Sequence, residues 1–229
     1  MLITRPEPGA SGTAKRVSAL GLRPVMAPVL EICSLPCHLP PAAGLQAIVT
    51  ASGNAIPALP PSHHGLPLLA VGETTASRAR TAGFSMVTSA DGDARALAAL
   101  ADRTCDFRGA PLLLVTGRGQ GEALATDLRL RGFRVIRRAV YAAMPVPTLP
   151  ETARQALEGG DVTAALFFSA ETARHFVQLI RRARLHEAVR TVDALAIGQP
   201  AAMALKVLPW RRIRVAARPT QDAMLALLP

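Results

Sequence analysis

The chain has 229 residues, half of them apolar, a formal net charge of +10 and only 3% aromatic side chains. No apolar run reaches the roughly 18 residues that a membrane span needs, so no membrane association is expected. The positive balance favours polyanions, either nucleic acid or a small molecule with many carboxylates or phosphates. Scarce aromatics leave almost nothing to stack on bases, so nucleic acid is not expected as a partner.

Three cysteines, Cys33, Cys37 and Cys105, are an odd number and suggest no disulfide framework. Cys33, Cys37 and His38 lack the further ligand that zinc requires, so no metal is expected. The opening Met1-Leu2-Ile3-Thr4-Arg5-Pro6 is too short to be a secretory leader and reads as the first strand of a cytoplasmic protein. Arginines cluster at 129, 131, 134, 137 and 138, at 181, 182 and 184, and at 211, 212 and 214. Such runs are read either as solvated faces or as attraction to an acidic ligand.

In chain order, "LITRPEPG" (2–9) predicts a strand, then a helix ending near Gly21. "APVLEI" (27–32) is extended, and Pro36, Pro40 and Pro41 stop a helix after it. "AIVTASGNAIPAL" (47–59) predicts a strand, Ser52 and a helix. "LLAVGETTASRARTAGF" (68–84) predicts a strand that runs through Gly72 into a small-residue helix. Leu112-Leu113-Leu114-Val115 is a buried strand, and Leu124 and Leu128 mark one face of the next helix, which ends at Gly132. "AVYAAMPV" (139–146) is extended again. Ala164-Ala165-Leu166-Phe167-Phe168 precedes a helix with Ala173, Phe176, Val177 and Ile180 on one face. "ALAIGQPAAMAL" (194–205) repeats the strand–glycine–helix pattern. Continuous apolar strands between amphipathic helices predict the α/β class with parallel sheets covered on both faces.

The pattern repeats in a permuted order. Residues 47–59 resemble "ALFFSAETARHF" (165–176), and 68–79 resemble 194–205. Residues 2–9 resemble "LLLVTGRGQG" (112–121), which sets Thr4 against Thr116. This predicts a lobe discontinuous in sequence, 1–28 with 147–229, a second lobe at 39–138, and linker strands at 29–38 and 139–146 that pair with each other. Ligands of open parallel sheets bind beyond the carboxyl ends of the strands. Thr4, Ser52, Gly72, Thr116, Ser169 and Gly198 are expected there, bordering a gap between the lobes, with helix N-termini as anion donors. Two readings of Gly72-Glu73-Thr74-Thr75 remain open: an anion cradle, or threonines that cap their own helix. "GRGQG" (117–121) lacks the dinucleotide spacing, and Arg134 and Arg137 stand where an acid would be needed. The histidine pair at 63 and 64 is expected on the surface.

"LITRPEPGA…LGLRPVMAPVLEI", "VTASGNAI", "VGETTASRARTAGF", "RGFRVIRRAVYAA", "FFSAETARHF", "AIGQPAAMAL" and "ARPTQDAML", in that order, resemble the uroporphyrinogen-III synthase family along essentially the whole chain. The resemblance implies two flavodoxin-like parallel-sheet lobes joined by a two-stranded linker, no cofactor, and a monomer. It implies hydroxymethylbilane, a linear tetrapyrrole with eight carboxylates, as substrate. The implied reaction removes its hydroxyl, inverts ring D through a spiro intermediate and closes the macrocycle. It further implies that Tyr141, the only tyrosine, assists the departing hydroxyl, and that Thr75 contacts a carboxylate or the leaving group. Thr4, Arg5, Ser52, Gly72, Thr116, Arg118, Ser169 and Gly198 become substrate-binding residues. Two departures stand out: Pro200 and Ala201 near where relatives carry threonines, and Gly121 where an arginine is common. They motivate an alternative, a two-lobed polycarboxylate-binding or regulatory module with impaired catalysis.

Overall fold

The computed structural model describes residues 1–228. The chain divides into two compact units, Met1–Glu31 with the segment from Met144 onward, and Ile32–Ala143.

The chain enters through β1 (Leu2–Ile3), α1 (Gly9–Ala19), β2 (Val25–Met26) and β3 (Leu30–Ser34). Gly21 after α1 sits at φ +75°, a left-handed position that glycine takes without penalty. The inserted unit runs β4 (Ala47–Thr50), β5 (Leu68–Ala70), α2 (Glu73–Thr81), β6 (Val87–Ser89), α3 (Ala94–Thr104), β7 (Leu112–Gly117), α4 (Glu122–Leu130) and β8 (Val135–Pro145). The chain then completes the first unit with α5 (Glu151–Glu158), β9 (Ala164–Phe167), α6 (Ala170–Arg182), β10 (Asp193–Ala196), α7 (Gln199–Leu205), β11 (Arg212–Val215) and α8 (Gln221–Leu225).

In the inserted unit the sheet order is β3-β8-β7-β4-β5-β6, and β4 to β8 run parallel to one another. The strands read as unbroken apolar runs because both faces are covered. Alternation divides them: Ala47, Val49, Leu112 and Leu114 face Leu97, Leu100, Leu124 and Leu128 of α3 and α4. Ile48, Ala70, Leu113 and Val115 face Ile56 and Ala76 and Ala79 of α2 on the other side. The first unit has the order β11-β10-β9-β1-β2, all parallel. One face holds Ile3, Leu166 and Leu195 against Ala10 and Val17 of α1 and Met224 of α8. In the same unit Phe176 of α6 meets Phe167 edge-on at 5.2 Å, and Trp210 stacks on Phe176 at 5.9 Å.

The two sheets are one topology, permuted. Counted from the strand before the serine, β4 to β8 read 3-2-1-4-5 across the sheet, and β9, β10, β11, β1, β2 read the same. The register sharpens the correspondence. Ile48 pairs with Leu68 and Leu113, and Ala165 pairs with Ala194 and Leu2. Matching Ile48 to Ala165 sets Ser52 on Ser169 and Gly72 on Gly198. It also sets Leu2 on Leu113, so Thr4 corresponds to Val115 and Arg5 to Thr116. The expected match of Thr4 with Thr116 is therefore out by one, and in a strand one residue exchanges the two faces.

Three further expectations change. The segment after Ser52 forms 3-10 turns at Gly53–Ala58 and Pro61–His63 rather than an α-helix, since Pro57, Pro60 and Pro61 bring no backbone N–H. His63 is buried, its ring held 3.0 Å from the Pro40 carbonyl, while His64 lies against Phe84 at 4.5 Å. The second linker is not a separate strand: β8 runs unbroken from Val135 to Pro145, lying beside β7 and β3. The arginine cluster at 129–138 is largely spoken for, with Arg129 and Arg137 on Glu122 and Arg131 on Asp102 and Asp127.

Candidate active site

Sheet order reverses direction between β4 and β7 in one unit and between β9 and β1 in the other. Each reversal parts two neighbouring connections at the carboxyl ends, the usual place for a ligand in such sheets.

In the inserted unit Tyr141 dominates this place. The pairing of β7 with β8 slips between Thr116 and Gly117, which face Ala139 and Tyr141, leaving Val140 as a bulged residue. The bulge turns the Tyr141 ring toward Gly117. A Cβ at Gly117 would sit 2.8 Å from Tyr141 Cζ, so only glycine leaves room for the ring. The ring is buried, at 4% exposure. Its hydroxyl lies 2.9 Å from Ser52 Oγ and 3.1 Å from Gln120 Oε1. A phenol has one proton and gives it to one oxygen at a time; Ser52, both donor and acceptor, can take either role. Ser52 also caps its own turn, accepting from the Asn54 N–H at 3.3 Å. The Arg118 N–H donates to the Tyr141 carbonyl at 2.8 Å, while its side chain is exposed.

Ser52, Thr116, Gln120 and Gly121 line a cavity of about 210 Å³ with Ala94 and Leu124. Thr116 is buried, and its Oγ1 is the one buried side-chain oxygen or nitrogen without a hydrogen-bond partner among the described residues. Gly121 sits at φ +79°, and a Cβ there would lie 2.3 Å from Thr116 Cγ2. Glycine at 121 is thus required by this turn. An arginine in its place would collide with Thr116.

Gly72 and Gly198 hold equivalent positions before α2 and α7. Both are extended, and neither helix receives a side-chain cap. The threonines at 74 and 75 therefore do not cap α2. Thr75 is buried in the first turn, and its N–H reaches back to the Gly72 carbonyl at 3.0 Å. A Cβ at Gly72 would meet nothing within 4 Å, so the start of α2 is open on that side. Open first-turn N–H groups carry the positive end of the helix dipole. At the start of α7 Ala201 and Ala202 are both buried and bring no hydroxyl.

In the first unit Ser169 caps α6, accepting from the Thr172 N–H at 3.0 Å. Thr4 is fully buried, and its hydroxyl donates to the Leu166 carbonyl at 2.5 Å, clipping β1 to β9 across the reversal. Thr50 makes the matching clip to the Val115 carbonyl at 3.1 Å. Arg5 lies over the Phe168 ring at 4.3 Å, with Nη1 donating to Gln221 Oε1 at 3.3 Å. Gly9 makes room for it, since a Cβ there would come within 2.5 Å of Arg5 Nε. No cluster of His, Cys, Asp and Glu among the described residues could hold a metal ion. Sequence reading missed Gln120, Gly117 and the glycine shelf under Arg5. Their signal was small residues beside bulky ones, visible only once the turns are formed.

Fold and site together define a class: a protein of two parallel α/β units with permuted copies of one topology, polar turns at both strand reversals, and no helix among the described residues long and apolar enough to cross a membrane. Residues 11–226 match the family model described as "Uroporphyrinogen-III synthase HemD". The chain belongs to the uroporphyrinogen-III synthase family. In fold it is similar to the crystal structure of uroporphyrinogen-III synthetase from Helicobacter pylori 26695, at 18% identity and a TM-score of 0.65, covering 99% of this chain and 96% of that one. It is also similar to a mutant uroporphyrinogen III synthase from the extremely thermophilic bacterium Thermus thermophilus, at 22% identity and a TM-score of 0.50, covering 98% and 95%. No curated protein matches the chain.

Proposed function

We propose that this chain is an active uroporphyrinogen-III synthase, a cyclising lyase that converts hydroxymethylbilane to uroporphyrinogen III with loss of water and inversion of ring D. The observation that carries the reading is the Tyr141 hydroxyl, held between Ser52 Oγ and Gln120 Oε1 at the strand reversal of a chain of this family. Tyr141 hydrogen-bonds the departing hydroxyl, which leaves as water and generates an azafulvene. Ring D then attacks through its substituted carbon to give the spiro intermediate. Catalysis on this reading is positioning and charge stabilisation, with no covalent intermediate on the protein.

Gly72 and Gly198 offer open helix starts to substrate carboxylates, Thr75 and Ser52 offer hydroxyls, and Arg5 and Arg118 offer charge. Ser169 serves through the helix start it caps. Thr4 and Thr116, buried beneath their turns, shape the site rather than touch the ligand. The domain assignment follows the same reading: a discontinuous lobe, 1–28 with 147–229, and a continuous one, 39–138, joined by the segments 29–38 and 139–146, the latter continuous with β8. The protein is proposed to act as a monomer.

The test supplies hydroxymethylbilane and resolves the product isomers by chromatography. The type III isomer is expected. Type I alone, at the spontaneous rate, overturns the reading. If the chain then still binds the octacarboxylate tightly, the second reading, a binding module with impaired catalysis, takes its place; the missing hydroxyls at Pro200 and Ala201 are what favour it.

A further inference from the structure

Helix α2, "ETTASRART", carries one acid and two arginines. Glu73 is taken by Arg80 at 2.5 Å. That leaves Arg78 with no carboxylate within 4.0 Å among the described residues; its Nη1 donates only a long bond, 3.4 Å, to Asn54 Oδ1. Arg78 is nevertheless half-buried. It lies across Gly53, where a Cβ would come within 2.7 Å of Arg78 Cδ and 2.8 Å of Nη1. Gly53 directly follows Ser52, whose Oγ is 2.9 Å from the Tyr141 hydroxyl.

An arginine that gives up part of its hydration without gaining a counter-ion is poised for an anionic partner. The Gly53 shelf holds it in place and limits the rotamer entropy lost when that partner arrives. We infer that Arg78 is a further substrate-binding residue, receiving one side-chain carboxylate of a tetrapyrrole polycarboxylate beside Ser52. The inference rests on the polycarboxylate reading above and adds to it a second cation from the inserted unit, besides Arg118. Arg78 was not among the residues singled out by sequence.

The test titrates the full chain with uroporphyrin III and, in parallel, measures KM and kcat with hydroxymethylbilane. Arg78→Gln is expected to bind the octacarboxylate roughly ten-fold more weakly and to raise KM by a similar factor, with kcat little changed. Arg80→Gln, which removes an equal charge from the same helix, is expected to change binding less than two-fold. Gly53→Ala keeps every charge but pushes Arg78 off its shelf, and is expected to weaken binding in the same direction. Its backbone is not left-handed, so it should fold normally, which a thermal melt checks. If wild type binds uroporphyrin III while Arg78→Gln binds equally well, or loses no more than Arg80→Gln, the inference is overturned and the functional reading stands. If wild type neither binds it nor turns over hydroxymethylbilane, the functional reading fails and takes the inference with it.

Discussion

Tyr141 owes its position to one neighbour without a side chain in the way and to one extra residue in its strand. Gly117 opens the space under the ring, and the bulge at Val140 brings the ring round to fill it. Removing only the hydroxyl should therefore leave the packing alone. We expect Tyr141→Phe to melt within about 1 kcal/mol of wild type and to form type III product about a hundred-fold more slowly. An unchanged rate would reduce Tyr141 to a packing residue. Gly121 teaches the opposite lesson. From sequence it looked like the loss of a ligand-binding arginine; its left-handed backbone and the Thr116 methyl group show a steric requirement instead. Gly121→Ala should destabilise the protein by about 1–3 kcal/mol in a denaturant titration. Adding Thr116→Ser, which removes the obstructing methyl, should recover part of that loss. No recovery would mean that the backbone angle alone sets the cost. Neither glycine's role was legible beforehand, because it depends on a side chain brought up by a turn, not on spacing along the chain.

Among the elements, the strands were the most legible. Leu112–Val115 and Ala164–Phe167 are continuous apolar runs, and both are buried strands in the middle of a parallel sheet. The helix expected after Ser52 was not: its pattern matched the segment after Ser169, but prolines at 57, 60 and 61 outweigh the likeness. The slip between Thr4 and Thr116 has a similar origin. Threonine and arginine recur in both segments, yet register is fixed by the neighbouring strands, which the segment alone does not contain. At the opposite end of the first sheet, Asp193 opens β10 and is held by Arg211 through two bonds of 2.7 Å. The Arg211 guanidinium beside it lowers the Asp193 pKa, with Arg212 and Arg214 adding to the effect. A carboxyl with a lowered folded pKa contributes stability that is complete above its unfolded pKa and lost as pH falls through the folded one. Asp193→Asn should therefore melt lower than wild type at neutral pH, and the gap should close as the pH drops below about 4. A gap independent of pH would show that the charge at Asp193 is not what the pair contributes.

For the whole molecule, the permuted repeat was legible in outline, because serine and glycine turns follow apolar strands twice in the same order. The structure adds that both sheets share one strand order, so the same kind of turn stands at the same place in each. The central claim of the proposed function is that this duplication serves the reaction: the helix starts after Gly72 and Gly198 each receive substrate carboxylates. Valine at either position meets no steric obstacle in the first atom of its side chain, the nearest contact being Pro200 Cδ at 3.9 Å from a Cβ at 198. Both backbones are extended, so the fold should tolerate the change. The most direct measurement is the ratio of type III to type I product from hydroxymethylbilane for wild type, Gly72→Val and Gly198→Val, with melting curves alongside. We expect wild type to give mainly type III, and each folded variant to shift markedly toward type I. Wild-type ratios in both variants would contradict the claim.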